Sequence, residues 1–386
     1  MGEMLSIINA KLFINGEFQE NKAINIDGKK IISIGKPIYA NTFDAKGNIV
    51  TAGFIDIHTH GGLSKDCMEP TKEAIETIAK YHLSTGITAF YPTTMTAPIE
   101  DIQKAISNIR EYKGNKYATI LGIHLEGPFL SKGAAGAHKP ELLLDPTKDN
   151  AKFVFDNKDI VKRVTLAPNK ENASNFTNEC VDNGIQVSLG HDESIDDEIY
   201  ACVNCGATSV THMYNCTSRP SRRNSPKKHL GLTEVGLIDD RLYTEVIADN
   251  RHVPNDLFKL IYKQKGADKI CLVSDSLSCA GEKDGEHYIG SGDSKQRIEI
   301  EDNVAVIKEL NTYAGSVTPI SKMVVQLYKA GIKKEDAIKM ATLNPAKLMN
   351  LTDRGDIKEG YVAELNILDD NLEVLYTIID EEVLPH

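Results

Sequence analysis

The stretch GFIDIHTHGG, residues 53–62, ends a short apolar run with two histidines one residue apart. Side chains alternate across a strand, so His58 and His60 project from one face, Thr59 points away, and the two imidazoles can grip a single ion. Seven further β-rich runs follow, each bounded by Gly, Pro, Asn or Asp: ITAFYPT (87–93), ILGIHLEGP (120–128), RVTLAP (163–168), IQVSLGH (185–191), SVTHMYN (209–215), YTEVIAD (243–249) and ICLVSDS (270–276). Between them lie segments such as TKEAIETIAKYHLSTG and PNDLFKLIYKQKG, with apolar residues at three- and four-residue spacing and a Gly where a helix would stop. Strand and helix alternating eight times over about 220 residues predicts a (β/α)8 TIM-like barrel, with a doubly wound open sheet as the alternative.

The polar residues favour the barrel. Glu126 closes the third run, His191 the fifth and Asp275 the eighth, while His212 lies in the sixth, so six potential ligands share one end of different strands. A barrel assembles its sites at that end. One catalytic zinc takes three or four protein ligands, so six point to two divalent ions about 3.5–4 Å apart, with Glu126 as the bridging carboxylate. Imidazole and carboxylate suit zinc, iron, manganese and cobalt alike, so one or two such ions are expected without a choice among them.

The ends of the chain differ in texture. Residues 1–52 contain short alternating runs split by NGE and DGKK, which are hairpin signals, and the last stretch, from GDIKEG onward, is similar. We expect residues 1–52 and 355–386 to pair into one small β-sandwich domain, with the barrel spanning 53–354. Residues 282–309 read as a hairpin-like insert, and the segment from TPISKM as closing helices.

Composition narrows the function classes. The 386 residues carry 44 basic and 55 acidic side chains, a formal charge of −11, which argues against nucleic acid and a membrane surface as partners. An anionic ligand must therefore meet a local basic cluster. YNCTSRPSRRNSPKKHLG supplies one, with Arg219, Arg222, Arg223, Lys227, Lys228 and His229 in the loop after the sixth run. Seven cysteines with no signal-like segment imply reduced thiols and a cytoplasmic location; Cys202 and Cys205 form a lone C-x-x-C without a second pair. No run approaches the roughly 18 apolar residues of a membrane span.

Taken together, His-x-His on strand one, histidines on strands five and six and Asp on strand eight resemble the amidohydrolase superfamily. HLEGPF, KGAAGAH, LGHDES, THMYN, IADNRHV and LVSDS narrow the resemblance to its N-acetylglucosamine-6-phosphate deacetylase family along nearly the whole chain. There, Glu on strand three replaces the carboxylated strand-four lysine used by other members, and here strand four ends in LAPN. The resemblance implies metal-dependent removal of the acetyl group from N-acetylglucosamine 6-phosphate. An ion-activated water would attack the amide, and Asp275 would take its proton and pass it to the departing amine. It also implies that His138 supports the carbonyl oxygen, that Asn215, Cys216 and His252 meet the substrate, and that the enzyme is a homodimer. The family's phosphate arginine sits in a REPG-like stretch from which this chain departs, and spacing favours Arg223. That departure leaves room for N-acetylgalactosamine 6-phosphate or a non-sugar amide. A cyclic-amide hydrolase or a catalytically silent scaffold are the remaining readings.

Overall fold

A computed structural model describes residues 4–114, 116–223, 226–290, 295–302 and 304–386. Eight parallel strands follow one another in chain order: Phe54–Thr59, Ile87–Thr94, Ile123–Glu126, Val161–Leu166, Gln186–Leu189, Ser209–Val210, Tyr243–Val246 and Ile270–Leu272. The ring closes just beyond the last strand. There Thr59 bridges Ser276, and the His60 amide donates to the Ser276 carbonyl at 2.7 Å.

The connecting helices follow their apolar periodicity. Lys72–Ser84 buries Ile75, Ile78, Ala79 and Leu83 against the barrel, a spacing that keeps one helix face inward, and the Thr71 side chain caps its first turn. Asn255–Lys265 ends at Gly266, whose φ is +74°. Three helices, Ile320–Lys329, Lys334–Ala341 and Leu343–Leu348, complete the barrel's outer layer.

Strands five, six and eight end short of the sequence runs, at Leu189, Val210 and Leu272, and just beyond them His191, His212 and Asp275 take φ values of +47°, +26° and +45°. His212 therefore stands in the turn after strand six rather than within it, as the apolar run had suggested.

Both ends of the chain contribute to a single eight-stranded sheet. Leu365–Leu368 pairs antiparallel with Ile49–Ala52, which joins the C-terminal hairpin to the N-terminal meander. Its apolar face holds Ile7, Leu12, Ile24, Ile26, Val50, Leu365, Ile367 and Ile378 in a core separate from the barrel's. The NGE signal is a tight turn with Asn15 at φ +51° and Gly16 at φ +84°, the two positive values that a type I′ hairpin needs.

A second small sheet, antiparallel over Gly285–Ile289, Gln296–Glu301, Val304–Ile307 and Thr312–Ser316, is inserted after the eighth barrel strand. Its last strand returns to the barrel rim, where Ser316 bridges Ser276. Residues 312–315 are thereby placed over the mouth.

Candidate metal centre

Six side chains from five strand ends converge in the barrel mouth, all from buried residues. The Nε2 atoms of His58 and His60 lie 3.3 Å apart, and each faces both Glu126 Oε2, at 3.3 and 3.1 Å, and Asp275 Oδ1, at 3.5 and 3.2 Å. On the other side of the same carboxylate, His191 and His212 present Nε2 atoms 3.1 Å apart, at 3.2 and 2.9 Å from Glu126 Oε1. Glu126 thus stands between two groups, with one oxygen turned to each.

These spacings fit divalent ions. Ligands held about 2.0–2.2 Å from an ion in tetrahedral directions stand roughly 3.3–3.6 Å from one another, close to the separations within each group. The first group offers four donor atoms, from His58, His60, Glu126 and Asp275. The second offers three, from Glu126, His191 and His212, which leaves a tetrahedral position open as a catalytic site requires. Ligating histidines normally tie down their other ring nitrogen, and two do so here: His191 Nδ1 lies 2.8 Å from the Ala134 carbonyl and His60 Nδ1 3.2 Å from that of Thr93. Each Nδ1 carries a proton in these bonds, so on losing its second proton each ring turns the Nε2 lone pair into the cluster.

The loop after strand three reaches His191 only because residue 136 is glycine. Its φ is +59°, and a Cβ there would stand 2.9 Å from Cys216 Sγ and 3.3 Å from His191 Cε1.

Charge inside the cluster is strongly coupled. Burial works to raise the Glu126 carboxyl, but the imidazoles around it, His58 foremost, outweigh burial and hold it well below the usual carboxylate range. Asp275 is likewise held ionised, burial being overcome by His58 and His60. Burial lowers His60 too, yet the Asp275 and Glu126 carboxylates lift it to about 9.

His138 takes a different state. The Thr96 amide donates to its Nδ1 at 3.2 Å, which leaves the ring proton on Nε2, 3.4 Å from Glu126 Oε2. Burial, its largest influence, drives this imidazole down to about 4, so it is a neutral donor aimed into the pocket. Asn215, Cys216 and His252 line the same pocket. His252 Nδ1 is fixed by Asp249 Oδ2 at 2.7 Å, and its buried Nε2 has no partner among the described residues.

Arg223 is placed elsewhere. Its guanidinium donates to Glu198 at 2.7 Å and to the Glu193 carbonyl at 2.8 Å, and it is absent from the pocket wall. Two of its loop neighbours, Asn224 and Ser225, lie outside the described residues. His229 is buried and held by Asp196 at 2.6 Å. All seven cysteines are free thiols, Cys202 and Cys205 among them.

Several contributors escaped sequence reading. Thr96 sets the His138 tautomer, Asp249 sets that of His252, and Tyr313, from the inserted sheet, lies tilted against His252 with ring centroids 4.9 Å apart and planes at 53°. An Asp three residues before a His in IADNRH was the one available signal.

Comparison with known proteins agrees with this geometry. The Amidohydrolase family pattern matches residues 49–384. The N-acetylglucosamine-6-phosphate deacetylase of Haemophilus influenzae is 29% identical over 385 residues, covering 97% of this chain and 98% of the relative. The Bos taurus protein of the same name is 30% identical, covering 93% and 89%. Among solved structures, N-acetylglucosamine-6-phosphate deacetylase from Pasteurella multocida superposes with a TM-score of 0.90 at 28% identity over 99% of this chain and 100% of that one. A Mycobacterium smegmatis mutant enzyme in complex with N-acetyl-D-glucosamine-6-phosphate gives 0.88 at 26%, with both chains fully covered.

Proposed function

The chain belongs to the amidohydrolase family, and on that premise we propose that its pocket hydrolyses the acetamide of N-acetylglucosamine 6-phosphate to glucosamine 6-phosphate and acetate. The observation that carries this reading is the Glu126-centred cluster facing a neutral His138 donor across one pocket. Divalent ions held by His58, His60, Glu126 and Asp275, and by Glu126, His191 and His212, would supply positive charge that lowers the proton affinity of water and polarises the amide carbonyl. Zinc, iron, manganese and cobalt all suit this donor set.

The residues divide the remaining work. Asp275, kept ionised, accepts the water proton and returns it to the leaving nitrogen, without which the tetrahedral adduct reverts. His138 donates its Nε2 proton to the carbonyl oxygen as negative charge grows there. The open Nε2 of His252 accepts from a sugar hydroxyl, and Asn215 and Cys216, in the same wall, meet the substrate. No Lys or Arg stands among the described residues of the pocket wall. We therefore assign the phosphate's counter-charge to Arg223 of a second copy in a homodimer. A cytoplasmic location accords with the seven free thiols.

The cyclic-amide reading lacks support on strand four. The lysine of Val161–Leu166 is Lys162, and its ammonium caps the Lys158 carbonyl at the barrel's outside.

The test is acetate release by metal-loaded protein from N-acetylglucosamine 6-phosphate, from the unphosphorylated sugar and from the galacto epimer. Turnover of the phosphorylated gluco substrate above the other two is expected. Failure on all three with metal bound would keep the hydrolase and discard the substrate.

A further inference from the structure

Beneath the metal cluster, the barrel interior holds an ion pair that the reaction as described does not use. Arg163, from strand four, and Glu245, from strand seven, are both fully buried and joined through Arg163 Nη2 and Glu245 Oε1. Barrel interiors are normally filled by branched apolar side chains, and a buried pair is often no more stabilising than such packing. The pair is also tied in further. Ser188 donates to Glu245 Oε1 at 3.0 Å, and Ser209 Oγ stands 3.1 Å from Arg163 Nη2.

The second carboxylate oxygen is spare. Among the described residues Glu245 Oε2 has no hydrogen-bond partner, and the ring nitrogen facing it, His58 Nδ1, has none either. They stand 3.8 Å apart, beyond a hydrogen bond but with a donor-capable and an acceptor atom opposed in the buried interior. An imidazole that binds an ion through Nε2 carries its proton on Nδ1, and that proton then needs an acceptor. His60 and His191 use backbone carbonyls for this purpose; His58 has Glu245.

We propose that Glu245, anchored by Arg163, is the positioning residue for His58, closing onto its Nδ1 proton when the first metal position fills, and so sets ion affinity at that position alone. The inference rests on the two-ion reading above. Arg163 fixes the carboxylate through Oε1, leaving Oε2 for the imidazole. The second position, formed by Glu126, His191 and His212, receives no hydrogen bond from the Glu245 carboxylate, whose residue meets that side only through its backbone carbonyl, which accepts from the Met213 amide at 2.8 Å.

The test is ion binding to the full chain, measured by competition with a chromogenic chelator, for wild type and Glu245→Gln. Wild type should hold two zinc ions. Glu245→Gln should keep the second ion at unchanged affinity and bind the first about 10–100-fold more weakly, the range for loss of such a partner. An amide left beside Arg163 could prevent folding, so Arg163→Met/Glu245→Gln, which removes both charges, carries the same measurement. A wild type with only one ion overturns the two-ion reading; two ions in wild type with unchanged or equally weakened sites in the folded variant overturn the role of Glu245. If neither variant folds, Glu245 is purely structural and the proposal fails.

Discussion

The backbone amide of Asp275 donates to the carbonyl of His58 at 2.9 Å. The last barrel strand is thus stitched to the first at the level of the cluster, and the seam that closes the barrel also sets the distance between two candidate ligands. Asp275 cannot shift along its strand without carrying the His58 backbone with it.

Asp275→Asn keeps the side-chain shape and removes the proton acceptor. We expect kcat to fall about 10²–10⁴-fold, with the ion at Glu126, His191 and His212 retained. Acetate release and metal content measured on one preparation check both halves. A variant with full metal and near-normal turnover would move the proton shuttle to another residue.

His138→Gln should lower kcat about 10²–10³-fold while KM changes little, because the donor acts on charge that grows only as the carbonyl is attacked. Steady-state kinetics decides. A rise in KM at unchanged kcat would make His138 a ground-state contact.

Metal loading should release protons. Without an ion, the Asp275 and Glu126 carboxylates keep His60 protonated up to about pH 9, and a ligating imidazole must be neutral. Affinity for zinc should therefore climb with pH from 6.5 to about 9, and addition of zinc to unbuffered metal-free protein at pH 7.5 should acidify the solution. The absence of proton release would show His60 already neutral.

His82 gives a stability prediction of opposite sign. It is buried on Phe90 and faces Thr59 Oγ1 at 3.0 Å, and burial drives its imidazole down to about 3. Its folded value lies below the unfolded one, so its contribution is complete above pH 6.5 and is lost progressively as pH falls toward 3. Urea unfolding at pH 7 and pH 4 should show wild type losing roughly 3 kcal/mol more than His82→Phe over that interval. Equal losses would mean that His82 is solvated or paired in acid.

Arg223→Ala tests the phosphate assignment. KM for the phosphorylated sugar should rise at least tenfold, while kcat/KM for the unphosphorylated sugar stays the same. Mixing this variant with Asp275→Asn should restore turnover if the guanidinium reaches the neighbouring pocket; no recovery would place its role within one subunit.

The barrel and the six-residue cluster at its mouth were legible because both are written locally. Each run alternates or is apolar over four to eight residues, and most candidate ligands sit at the end of their own run, as His58, Glu126 and Asp275 do. What the sequence hid is held together by pairs distant along the chain. Arg163 and Glu245 each look like a stray charge in an apolar stretch until the barrel brings them together across 82 residues. Thr96 is unremarkable until its amide meets His138. The strand ends were overestimated because nothing in a histidine announces a positive φ; the left-handed turns at His191, His212 and Asp275 are imposed by the convergence of the mouth, and such local strain persists only where the surroundings enforce it.

The pairing of Ile49–Ala52 with Leu365–Leu368 also orders events during synthesis. The strand that leads directly into Phe54 has one edge unmatched until more than three hundred further residues have been made, so the ribosome releases a nearly complete barrel before its lead-in strand finds its partner. Closing so long a loop is entropically slow. In the interval the edge of Ile49–Ala52 stays open to mispairing, a hazard that a chaperone's cover would remove.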